Sequence, residues 1–293
     1  MQRPLPDRLS ILYPFASCFF EQPDGLKQHF IEEGDGEDLI LMVHGNPSWS
    51  WLYRELVLLL REKGRCLAVD HIGCGLSERP PRDYDLCLNT HTNNLTRLLE
   101  TRTFRRLHLV VHDWGGPIGI GSILPFAERL GKVVILNTSA FPMKVGDWRI
   151  EICRRAGLGP FLSARLGLFP KQAIKQAVTH PMSPAVAEGF LYPYQKARDR
   201  RAIGEFVRDI PIRPSHRSWS VLKTVEAFLP ALGKREVLIR WGAKDFCFDE
   251  RFLAEWRERL PHATVRVSDD AGHYVLEDAG DQALEEMAQF LTE

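Results

Sequence analysis

The chain has 293 residues, 44% of them hydrophobic, which is enough for one large α/β domain or two small ones and excludes a disordered or fibrous protein. Its 38 basic and 38 acidic residues cancel to a formal charge of zero, with a pI near 7.2. That balance removes any chain-wide attraction to nucleic acid or an anionic membrane and leaves small neutral ligands as the expected partners.

In chain order, the apolar stretch 11–18 is interrupted at Pro14 and preceded by Pro4, Pro6 and Asp7, which makes a poor export signal. Six scattered cysteines (Cys18, Cys66, Cys74, Cys87, Cys153, Cys247) contain no C-x-x-C pair, so reduced thiols in a cytoplasmic protein are expected. No run approaches the ~20 apolar residues of a membrane helix, so no membrane insertion is expected. Short apolar runs then alternate with amphipathic ones, the pattern of parallel strands joined by helices. Strands are expected at 39–43, 66–69, 107–111, 133–136, 237–239 and 264–267, helices at 51–62, 93–100, 118–130, 251–260 and 281–291. Polar residues or glycines follow most of these strands, where open α/β sheets place their ligands. The segment 141–229 differs: it is helix-like, punctuated by Gly and Pro, and lacks a convincing strand. It reads as an insert between two strands of one sheet, and 142–228 holds 15 basic against 7 acidic residues. That surplus is a solvated helical surface or a docking face for an acidic partner or second subunit.

Val111-His112-Asp113-Trp114-Gly115-Gly116 follows a predicted strand and opens a helix, the setting of a nucleophile elbow with Asp113 in place of serine. Alone, Asp113 is equally an N-cap residue. Asp245, in Trp241-Gly242-Ala243-Lys244-Asp245, and His273, in Asp270-Ala271-Gly272-His273, fall in loops after later strands. Their order, nucleophile, acid, histidine, makes Asp113, Asp245 and His273 a candidate triad. His44-Gly45-Asn46-Pro47 ends an earlier strand and would bring the backbone N–H of Asn46 opposite that of Trp114, forming an oxyanion hole. The 70–77 turn lacks the ending of a phosphate loop and reads as structural. The ten histidines form no H-E-x-x-H or carboxylate cluster, so no metal is expected.

A carboxylate nucleophile can displace a leaving group from an alkyl carbon and become an ester of the protein, which water activated by His273 would hydrolyse. A halide leaving group would find N–H donors in the Trp114 indole and the Asn46 side-chain amide.

These segments, with Asp70-His71-Ile72-Gly73-Cys74-Gly75-Leu76-Ser77 and Ala271-Gly272-His273-Tyr274, resemble the haloalkane dehalogenases over nearly the whole chain, in particular their third subfamily. The resemblance implies an α/β-hydrolase fold with a mostly parallel eight-stranded sheet and flanking helices. Residues 1–140 and 230–293 would form the core and 141–229 a helical cap. It also implies no cofactor, Asp113, His273 and Asp245 as catalytic residues, and Asn46 and Trp114 as halide ligands. The implied reaction converts a haloalkane and water to an alcohol and a halide ion. Asp209-Ile210-Pro211-Ile212, Asp245-Phe246-Cys247-Phe248-Asp249 and His273-Tyr274-Val275-Leu276-Glu277-Asp278 equally resemble the cis-dialkyl β-lactone decarboxylases of long-chain olefin biosynthesis, which would use the same triad. Phe141, Phe161, Leu162, Leu166, Leu168, Phe169, Phe190, Leu191 and Phe206 are candidates to line a pocket for alkyl chains, or are ordinary core. Assembly as a homo-oligomer, or docking of a pathway partner through the basic cap, is a further expectation. Epoxide hydrolases share the nucleophile but need two cap tyrosines, and Tyr192 and Tyr194 stand two apart. A receptor or scaffold on this fold would have no use for a complete triad.

Overall fold

The computed structural model describes residues 5–142 and 167–293. Eight strands form one sheet: β1 (Cys18–Glu21), β2 (Lys27–Glu33), β3 (Leu39–Val43), β4 (Arg65–Val69), β5 (Leu107–Asp113), β6 (Leu130–Thr138), β7 (Val237–Gly242) and β8 (Thr264–Ser268). Their spatial order is β1-β2-β4-β3-β5-β6-β7-β8, with antiparallel pairing at β1–β2 and β2–β4 and parallel pairing elsewhere. Every residue of β3 and β5 is buried, as expected of central strands covered on both faces.

Period-two alternation divides the core between the two faces. Leu39, Leu41, Val43, Leu109 and Val111 meet one set of helices: α2 (Leu88–Glu100), α3 (Gly115–Ser122), α7 (Trp219–Leu232) and α8 (Glu250–Arg259). Ile40, Met42, Val110 and Val134 meet α1 (Arg54–Leu60) and α9 (Gly280–Thr292) on the other. Between β6 and α7 the described chain forms α4 (Leu168–Gln176), α5 (Pro184–Leu191) and α6 (Arg201–Arg208), with no strand among the described residues of 141–229.

The structure differs from the sequence expectation at four places. β1 and β2 were not anticipated, because β2 buries Gln28 and His29 as well as Phe30 and Ile31 and so has no polar–apolar alternation. The helix expected at 118–130 stops at Ser122 and gives way to a 3-10 turn, Leu124–Arg129. Pro125 supplies no N–H and disfavours helical backbone at Leu124. The helix expected at 51–62 begins instead as a 3-10 turn, Ser50–Tyr53. The expected cap boundary at 229 falls inside α7, where Leu222, Val225 and Leu229 are buried in the same cluster as Leu95 and Ile118.

Candidate active site

The site lies at the carboxyl ends of the parallel strands. β5 shifts register between His112 and Asp113, and the chain then turns directly into α3. Asp113 sits in that turn at φ +52°, the one positive φ at a non-glycine among the described residues. Aspartate tolerates this left-handed conformation better than most residues, although it still carries strain. Gly115 permits the tight bend, because a Cβ there would overlap the carbonyl oxygen of Val43 on β3. The Thr138 hydroxyl, at the end of β6, donates to the Asp113 carbonyl and fixes the turn.

The loop after β3 closes on the same carboxylate. Asn46 N–H donates to Asp113 Oδ1 at 2.6 Å, and the Trp114 N–H also bonds the carboxylate. Gly45 lies so close that a Cβ on it would fall on the Asp113 side chain. Burial raises the Asp113 carboxyl above its ordinary value, and His273 with the two N–H groups only partly offset this.

His273 Nε2 is 3.9 Å from Asp113 Oδ2, and its Nδ1 is 2.8 Å from Asp245 Oδ2. Burial opposes a charge on His273, but Asp245 and then Asp113 outweigh it and raise the imidazole above its usual value. Asp245 is itself held at both oxygens: Oδ2 accepts from Asn137 Nδ2 at 2.9 Å and Oδ1 from Cys247 N–H at 2.6 Å. The His273 ring is clamped between Phe248, stacked at 5.7 Å and 15°, and His112, at 4.5 Å. His112 Nε2 also donates to the His273 carbonyl at 2.8 Å. The sequence therefore named Asp113, Asp245 and His273, and the fold brings all three together. It passed over Asn137, His112 and Phe248 as orienting groups. The polar residue at the end of the 133–136 run was the available signal for Asn137.

The insert reaches this site through α6. Asn46 Nδ2 donates to the Ile203 carbonyl at 3.2 Å, and Phe206 packs on the partly exposed Trp114 ring at 5.3 Å. One amide proton of Asn46 is thus committed to the insert. Asp209, fully buried, accepts from Leu88 N–H and Ser218 Oγ at 2.7 Å each and from Arg217 Nε at 2.7 Å, pinning the end of α6 to the start of α2. Of the proposed pocket residues, Phe141 belongs instead to the core, against Trp256 at 5.1 Å. Phe190 stacks on Tyr274 at 4.9 Å, beside His273. Leu168 is half exposed, Phe169 and Leu191 are half-buried, and Phe161, Leu162 and Leu166 lie outside the described residues. Tyr194 is buried with its hydroxyl donating to the Ser48 carbonyl at 3.1 Å, so it is not presented as an acid to a bound epoxide.

The sequence pattern of the Alpha/beta hydrolase family matches residues 40–289. The chain belongs to that family. Among curated relatives, this hydrolase is 41% identical to the cis-3-alkyl-4-alkyloxetan-2-one decarboxylase of Shewanella oneidensis, over 97% of the present chain and 91% of the relative. It is 30% identical to haloalkane dehalogenase 2 of Mycobacterium tuberculosis, over 92% of this chain and 93% of that one. A crystal structure of a haloalkane dehalogenase from Bradyrhizobium elkani superposes with a TM-score of 0.80 at 21% identity, covering 95% of this chain and 96% of that one, which places the fold. Among the described residues, no helix is long and apolar enough to cross a membrane, and no group of three His, Cys, Asp or Glu side chains is placed to hold a metal.

Proposed function

We propose that this hydrolase decarboxylates a cis-3,4-dialkyl oxetan-2-one, a β-lactone, to an alkene and carbon dioxide. The observation that carries the reading is the 41% identity over 97% of the chain to a protein named for that substrate. Asp113 Oδ2, the carboxylate oxygen that faces His273, attacks the ring carbon that bears the ring oxygen. A carbon–oxygen ester bond forms to Asp113 as the ring carbon–oxygen bond breaks, and the ring oxygen leaves as a carboxylate. The His273 imidazolium, kept charged by Asp245, donates from Nε2 to that carboxylate. Loss of carbon dioxide then sends the carbon–carbon pair into the double bond and expels Asp113 as the free carboxylate. Inversion at the first step and anti elimination at the second leave the two alkyl chains cis. No water is consumed, and water entering at the ester stage would give a 3-hydroxy acid instead.

A second reading, haloalkane hydrolysis, is favoured by Trp114, whose partly exposed indole stands next to the nucleophile. There Asp113 displaces halide and His273 activates water. The resulting oxyanion sits between the Asn46 and Trp114 N–H groups that already converge on Asp113. In either reading the enzyme acts in the cytoplasm, which the unbridged thiols of Cys18, Cys66, Cys74 and Cys87 support. It self-associates, and the insert between β6 and α7, which carries α4, α5 and α6, forms a cap over the carboxylate.

The deciding experiment gives purified protein a cis-3,4-dialkyl oxetan-2-one and 1-bromobutane in parallel, with alkene and bromide measured in each. Alkene from the lactone, absent in Asp113→Asn, is expected. Bromide release without alkene moves the assignment to the second reading. Alkene or bromide formation by Asp113→Asn at the parent rate removes Asp113 as the nucleophile of the corresponding reading.

A further inference from the structure

At the antiparallel edge of the sheet, outside the Asp113 site, lies a second linear array of hydroxyl, imidazole and carboxylate. Ser17 stands immediately before β1 and is exposed, and its Oγ lies 3.1 Å from His29 Nε2. His29, on β2, is fully buried, with Nδ1 2.8 Å from Asp70 Oδ2 at the end of β4. Asp70 is fully buried as well, and takes the N–H of Ser50 on Oδ1 and of Leu76 on Oδ2, each at 2.7 Å. An ionised carboxylate only accepts, so the proton shared with it belongs to His29 Nδ1. In that tautomer the lone pair lies on Nε2, 3.1 Å from the Ser17 hydroxyl oxygen. That is the tautomer a serine nucleophile requires of its base. Binding of Asp70 by two backbone N–H groups fixes the imidazole from behind, while Ser17 itself is an exposed residue. Phe19, 48% exposed, presents its ring edge-on 5.4 Å from the His29 ring, an apolar surface beside the hydroxyl.

We propose that Ser17 is a second nucleophile, activated by His29 and Asp70, that accepts the acyl group of an activated carboxylic ester with an apolar acyl chain. Ser17 Oγ attacks the ester carbonyl carbon and its proton passes to His29 Nε2. The carbon–oxygen bond to the leaving alcohol breaks, and the proton on His29 goes to that alcohol. The product is acyl-Ser17 and free alcohol, with no oxidant or cofactor involved. None of these three residues takes part in the chemistry at Asp113, so this site stands whether or not the decarboxylase reading does.

The test uses the full chain carrying Asp113→Asn, treated with p-nitrophenyl butyrate and read by nitrophenolate release, intact mass and peptide mapping. One butyryl group on Ser17 is expected. Ser17→Ala removes it, and in the otherwise unaltered protein leaves alkene formation unchanged. His29→Gln slows Ser17 labelling by about 100-fold. The folded Asp113→Asn protein also labels Ser17 faster than the same chain in urea, a comparison that does not depend on the His29 variant folding. Butyrylation confined to lysines or other serines, or labelling of Ser17 no faster in the folded protein than in urea, overturns the proposal.

Discussion

Replacing Asp245 by asparagine separates the two roles that His273 can play. In the parent, Cys247 N–H at 2.6 Å requires an acceptor at Oδ1. The amide nitrogen of the new side chain therefore takes the Oδ2 position, 2.8 Å from His273 Nδ1 and 2.9 Å from Asn137 Nδ2. Asn137 cannot turn to accommodate it, because its Oδ1 accepts from Gly242 N–H at 2.8 Å and its Nδ2 also donates to the Gly242 carbonyl at 3.1 Å. The opposite orientation of the new amide would set its NH2 against the Cys247 N–H, donor against donor at the shorter of the two contacts, whereas Asn137 Nδ2 keeps Gly242. A donor thus faces His273 Nδ1, and the ring proton moves to Nε2. With the Asp245 charge gone, burial is opposed by the Asp113 carboxylate alone, so the imidazole is drawn down and the neutral ring is favoured. Hydrolysis of an ester on Asp113 needs a lone pair on Nε2, which the parent ring offers whenever it is neutral and the neutral variant ring does not, so that step falls by about 10⁴-fold, roughly 5 kcal/mol. Decarboxylation needs a donor at Nε2, which remains and loses only its charge. The difference between a charged and a neutral hydrogen bond is about 1–1.5 kcal/mol, roughly tenfold in rate. Rapid-quench assays of alkene and 3-hydroxy acid from one lactone read both steps. Alkene formation down about tenfold with the hydroxy acid gone is the expected result. Alkene formation down by about 10⁴-fold would refute the assignment of His273 as a charged donor.

Three further outcomes follow from the geometry. Asp113→Asn abolishes turnover but stabilises the fold at alkaline pH. The sign is fixed by the raised carboxyl of Asp113: its contribution to stability is present below the pKa of the unfolded chain and lost as pH rises through the folded value, so an ionised Asp113 disfavours the native state. A Tm above that of the parent by calorimetry at pH 8 is expected, since Asn also tolerates φ +52°; a Tm below that of the parent would contradict it. Gly45→Ala places a methyl group on the Asp113 side chain and lowers the turnover number by about 100-fold with unchanged far-ultraviolet dichroism, because a displaced nucleophile costs orientation rather than folding. Asp209→Ala strands Leu88 N–H and Ser218 Oγ in a buried site and costs about 3 kcal/mol in urea unfolding, and a loss under 1 kcal/mol would show that α6 is not anchored there.

What could be read along the chain was whatever local chemistry writes locally. The elbow at Asp113 needs a small residue two places on and a strand before it, and the loops bearing Asp245 and His273 follow apolar runs, so these signals survive without the fold. β2 was invisible because its inward positions include His29 and Gln28, whose burial depends on Asp70 and on Gln22, partners 41 and 6 residues distant. Asn46 makes the same point within the site. Its sequence setting, just after a strand and before Pro47, fits a halide ligand and a structural tether equally. The tether is visible only in the fold: the carbonyl of Ile203, 157 residues away, takes one of the two amide protons and leaves the other for a ligand. A residue that binds the insert by its side chain and the nucleophile by its backbone N–H couples the position of α6 to the carboxylate. Any shift of α6 away from the core must therefore either break a buried hydrogen bond or move one of the two donors that hold Asp113.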